Sequence, residues 1–115
     1  MSLRLTKPWR TLDDDQVSRL TGQLGVYQLA DADEQVVFMG MAGARTLFGL
    51  RGELRRELDG RDPGRTGHLR FRVEVTMSYL TRYQELLMVY VADHGELPPD
   101  NRDGLPVTLG RLHPA

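Results

Sequence analysis

The chain has no cysteine. That excludes disulfides, thiol nucleophiles and thiolate metal centres, and it fits a reducing interior. Long apolar runs are missing too. The longest, Leu86 to Ala92, includes Tyr90 and falls well short of the roughly 18–20 residues a membrane span needs. The opening residues, Met1 to Pro8, contain no apolar stretch of the kind a secretion signal carries. The expected address is the cytoplasm, away from membranes. No internal repeat and no low-complexity tract is present. The 115 residues suit one domain, large enough to bury roughly two-thirds of its unfolded surface without staples.

A strong charge of one sign is also lacking. The formal net charge is −1, which argues against a dedicated nucleic-acid coat protein. The distribution says more. Lysine occurs once, at Lys7, and every other basic residue is arginine. Between Arg45 and Arg72 stand eight arginines against Glu53, Glu57, Asp59 and Asp62, so that segment carries +4. Arginine presents a planar fork to phosphate or carboxylate. The segment therefore reads either as a solvated face paired with its own acids or as a surface for an anionic partner.

Periodicity divides the chain into elements. Thr11 or Asp13 caps an expected helix reaching about Leu20, with Asp14 and Asp15 in the first turn, where the helix dipole favours acids. Gly25 to Ala30 alternates like a strand, Asp31 to Glu34 has turn chemistry, and Gln35 to Gly40 alternates again, which predicts a hairpin. Leu47, Leu50, Leu54 and Leu58 then recur at helical spacing up to Gly60, a natural left-handed cap. Arg61 to Gly67 reads as a loop. Leu69 to Thr76 alternates strictly and predicts a half-buried strand. A long helix is expected from Tyr79 to His94, with Ser78 before it, Gly95 after it, and a core stripe of Leu80, Tyr83, Leu87 and Tyr90 or Val91. From Leu97 onward the chain reads as an extended tail. The economical solution is an α+β fold, a small three-stranded antiparallel sheet flanked by helices. It divides into a helical extension over 1–24, a core over 25–101 and a tail over 102–115.

Two triplets stand out in this layout. Gly25-Val26-Tyr27 opens the first strand and Phe38-Met39-Gly40 closes the second, which would set a tyrosine facing an aromatic across the hairpin. In these triplets and in its element order, the chain resembles the GIY-YIG nuclease superfamily over about Gly25 to Asn101. The resemblance implies a nucleic-acid partner and metal-dependent cutting of a phosphodiester. It implies Tyr27, Arg51 and Glu85 as catalytic residues, with Glu85 holding a Mg²⁺ or Mn²⁺ ion. Gly25, Gly40, Arg45, Arg55 and Asn101 would line the substrate, and Arg45 and Arg55 are alternatives to Arg51 for the family's helix arginine.

That chemistry is coherent. A hard cation on one carboxylate relieves phosphate charge, an arginine fork neutralises the phosphate, and a phenol can hold or deprotonate water when nearby cations lower its pKa. Two positions depart from the pattern. Phe38 lacks the hydroxyl of the family's usual tyrosine, and Met41 stands where a lysine is common. A second reading follows from them, a fold kept for binding nucleic acid or a protein partner without cutting. Asp93, His94 and Glu96 form a weak metal signal, and His68 and His113 stand alone.

Overall fold

The computed structural model describes residues 4–44, 46, 48–59 and 70–103. The elements run β1 (Arg10–Thr11), α1 (Asp14–Ser18), β2 (Gly25–Ala30), β3 (Val36–Ala42), α2 (Gly49–Asp59), β4 (Arg70–Val75), α3 (Tyr79–His94) and α4 (Pro99–Asp103). This is an α+β domain with helices on both faces of an antiparallel sheet. The sheet has four strands in the order β1-β4-β2-β3, one more than the sequence led us to expect. The addition is β1, whose two residues pair with Arg70 and Phe71 on β4. A two-residue strand has no periodicity to detect, and only its partner defines it.

The hairpin forms where the turn chemistry put it. The Asp31 carboxylate accepts from the backbone N–H groups of Asp33 and Gln35. The register sets Tyr27 opposite Gly40 and Leu29 opposite Phe38. Tyr27 and Phe38 thus share a face but meet diagonally, with ring centroids 6.1 Å apart, rather than facing directly. On the other side of β2, Tyr27 pairs with Val73 and Leu29 with Phe71.

Alternation gives the sheet two faces, each with its own core. On one, Tyr27, Leu29 and Phe71 pack with Leu50 and Leu54 of α2 and Val17 of α1. On the other, Val26 and Met39 pack with Leu86 and Leu87 of α3 and with Leu5 of the N-terminal segment. Every residue of β2 is consequently buried, polar Gln28 included.

Three further expectations need correction. The first helix is short, Asp14–Ser18, with Asp13 as its cap accepting from the Gln16 N–H. The apolar stripe of α3 is rotated. Leu86 and Leu87 are buried, Tyr79, Tyr83 and Tyr90 pack partly against them, and Leu80 is half exposed. As far as Asp103, the last described residue, the stretch after Leu97 is not extended but turns into α4, whose Asn101 N–H donates to Pro98 O. At the end of α3, Gly95 has φ +82° and donates its N–H to Val91 O, as its cap role predicts. Leu47, Gly60, the Arg61–Gly67 loop and Leu69 lie outside the described residues.

Candidate functional site

Tyr27 projects from the central strand into the α2-side core and is 3% exposed. Its ring lies over Gly40, where an added Cβ would stand 2.4 Å from the tyrosine hydroxyl oxygen. Burial raises its pKa well above the ordinary phenol value, the Glu57 and Glu53 carboxylates push the same way, and Arg56 only partly opposes them. A phenol in such surroundings keeps its proton. That is the opposite of what water activation asks of it.

Glu85 lies on α3, on the other face of the sheet. Its carboxylate is bound by the Arg82 guanidinium, and the same guanidinium is held by Glu74 of β4 through Nε at 2.8 Å and Nη2 at 3.2 Å. Its hydrogen bond to Glu74, reinforced by the one to Glu85, raises the Arg82 pKa, so the cation is permanent. These three side chains line a cleft of about 570 Å³ with Leu5, Lys7 and Thr81. A divalent cation at Glu85 would have to stand beside this guanidinium, which already supplies the positive charge. The residues present do not fit a metal there. Among the described residues no group of three histidine, aspartate or glutamate side chains is placed to hold one, and the weak signal at Asp93, His94 and Glu96 forms no such group.

Arg51 lies elsewhere again, on the solvent side of α2. It lines a shallow depression of about 330 Å³ with Ser18, Phe48, Gly52 and Arg55. Arg55 reaches across to Asp14 and Ser18 of α1, while no described side chain pairs with Arg51. Phe48 is 69% exposed and has φ +63°, a left-handed conformation that a bulky side chain adopts only at a cost. Gly49 follows it at φ +58° and starts α2.

The structure therefore brings Arg51 and Arg55 together and sets Gly40 against Tyr27, but it does not gather Tyr27, Arg51 and Glu85 around one point. Gly25 serves strand pairing, since an added Cβ would lie 2.1 Å from the Glu74 carbonyl oxygen. Asn101 is buried, and its side-chain amide clamps the backbone of Met39. Oδ1 accepts from the Met39 N–H at 2.8 Å and Nδ2 donates to the carbonyl at 3.0 Å. Both polar ends are thereby engaged in the fold. Arg45 lies outside the described residues.

Sequence reasoning missed Phe48, the Glu74–Arg82 pair and the polar floor at Gln28 and Arg72. Arg72 donates from Nε to Gln28 Oε1 at 2.8 Å, and its guanidinium carbon sits 4.0 Å from the Trp9 ring centroid. A glutamine between Tyr27 and Leu29 looks like an ordinary solvent-facing position. Nothing in the strand itself says that α3 and residues 4–7 cover it.

Fold and site together define a two-sided α+β domain with an arginine–aromatic depression on the α2 side and polar clefts on the α3 side. The chain belongs to the family described as a domain of unknown function (DUF7508), which matches it over residues 1–93 and so from β1 to the last turn of α3. Among curated proteins, no sequence matches it.

Proposed function

We propose that this protein is a nucleic-acid-binding module with a GIY-YIG-like element order that holds a single strand without cutting it. The observation that carries the reading is Phe48, an exposed aromatic in a strained backbone conformation beside Arg51, with which no described side chain pairs. An aromatic face stacks any base, and a guanidinium fork takes the adjacent phosphate. Arg55 and the Ser18 hydroxyl extend the polar side of the same depression. Strain held at a residue whose side chain is exposed is a mark of a functional position. The absence of cutting is supported by the positions of Tyr27 and Glu85 on opposite faces, one deprived of acidity and the other bound to Arg82.

Titration of labelled oligothymidylate, followed by fluorescence anisotropy, tests this reading. Binding should weaken as salt rises, with a log–log slope of about −0.7 for each arginine–phosphate contact. Phe48→Gly relieves the backbone strain and removes the stacking face. It should hold or raise stability while weakening binding about tenfold or more. Arg51→Glu should abolish binding. Absent binding at low salt, or undiminished binding by Phe48→Gly, would remove the proposal. Cleavage of the strand with Mg²⁺ or Mn²⁺, lost in Glu85→Ala, would replace it with the nuclease reading.

A further inference from the structure

On the α3 side a second cleft, of about 460 Å³, opens over the middle of the sheet. This lies within the range of sites that enclose small molecules. Its floor is polar and its wall apolar. Gln28 is 3% exposed. Arg72 can only donate, so the Gln28 oxygen must face it and the amide nitrogen must point the other way. There, among the described residues, that nitrogen reaches only the Met39 sulfur, at 3.8 Å, a weak acceptor for two N–H groups. Arg72 is in a similar position. Nε goes to Gln28 and Nη1 to the Lys7 carbonyl, and no described residue accepts from Nη2. Among the described residues no carboxylate pairs with it, and Glu34 acts on it only through space. Burial lowers its pKa, the mark of a cation stripped of part of its water.

A buried amide with only a weak sulfur acceptor and a half-buried guanidinium thus converge on one cleft, where a bound acceptor would complete their hydrogen bonds. Val36, Met39, Leu86 and Val89 line the cleft's apolar side. Tyr90 stacks on His94 at its outer end, with centroids 4.1 Å apart. The acids at the rim select against a highly charged ligand. Asp93 is already engaged by both Nε and Nη2 of Arg4, while Glu34 would repel a second negative charge.

We propose that this cleft binds a small apolar monocarboxylate, the carboxylate received by the Gln28 amide and the Arg72 guanidinium and the hydrocarbon body by α3 and β3. The site is distinct from the α2-side depression and does not depend on nucleic-acid binding.

Trp9 is the chain's single tryptophan and stacks on Arg72, so its fluorescence reports on the site. Hexanoate is the probe and hexanamide its neutral control. Hexanoate should change Trp9 emission saturably, with half-saturation at or below about 1 mM, and should shift the Gln28 side-chain amide resonances. Hexanamide should bind at least about tenfold more weakly, for want of the charge-assisted contact. Gln28→Glu supplies a resident carboxylate to Arg72, and should hold the melting temperature while reducing hexanoate affinity about tenfold or more. Val89→Glu sets a negative charge on the partly exposed wall and should weaken hexanoate binding without touching the floor. If hexanoate moves neither Trp9 emission nor the Gln28 resonances, the proposal fails. It fails equally if Gln28→Glu and Val89→Glu bind hexanoate as tightly as the wild type, or if hexanamide matches hexanoate.

Discussion

Tyr27 shows how a residue that looks chemical can serve packing. Gly25 and Gly40, the glycines of the two triplets, each have a steric reason. One lets β4 approach β2, and the other leaves room for the Tyr27 ring to lie across β3. The triplet pattern that carries the family resemblance is therefore explained at three positions by the fold alone. The raised Tyr27 pKa has a consequence for stability. The unfolded phenol ionises near pH 10.0, the folded one well above it. Its contribution is thus fully present below about pH 10 and is lost as pH rises further, because the unfolded state then releases a proton that the folded state keeps. Urea unfolding measured from about pH 9 to pH 11 should show a smaller loss of stability in Tyr27→Phe than in the wild type. An equal loss in both would mean that the hydroxyl is not insulated as described.

Among the elements, α4 has the clearest task. β3 is an edge strand, and an open edge invites pairing with another chain. Asn101 answers it by presenting to Met39 one acceptor and one donor, as a neighbouring strand would. Asn101→Leu leaves the Met39 N–H and C=O without those partners. It should lower stability by about 1–3 kcal/mol in chemical denaturation, and it should promote concentration-dependent self-association visible by size-exclusion chromatography. A variant that stays monomeric and fully stable would show the clamp to be dispensable. At the opposite side of the sheet, Arg82 plays a comparable part, tying β4 to α3 through Glu74 while occupying Glu85.

At the scale of the molecule, two cores share one sheet. Leu54 belongs to the α2 side and Leu87 to the α3 side, and both are buried. Because β2 contributes side chains to both cores, neither can open while the other stays intact. Leu54→Ala and Leu87→Ala should each cost about 2–4 kcal/mol through lost burial and the cavity left behind. Lying on opposite faces without shared partners, the two losses should add to within about 0.5 kcal/mol. Fluorescence and circular dichroism should follow a single coincident transition in each variant. Two separate transitions would show that the faces unfold independently. The same two-sided plan keeps the arginine–aromatic depression and the carboxylate cleft apart, so each can be altered without the other.

Local chemistry in the chain determined most of the elements. The Asp31 turn, the flanking alternation, the leucine spacing of α2 and the Gly95 stop are written in neighbouring residues, and all reappear in the structure. What lay beyond the sequence was everything set by who covers whom. Alternation names two faces of β2 but not that both are buried, so nothing in the strand shows that Gln28 forms a cleft floor. Helical spacing fixes which α3 residues are neighbours but not the angle at which α3 meets the sheet, so Leu80 was exchanged for Leu86. The alignment of Tyr27, Arg51 and Glu85 along the chain carries no information about the sheet between them. Only tertiary packing decided that the sheet separates Tyr27 from Glu85, that Arg51 faces solvent, and that Glu85 meets a guanidinium.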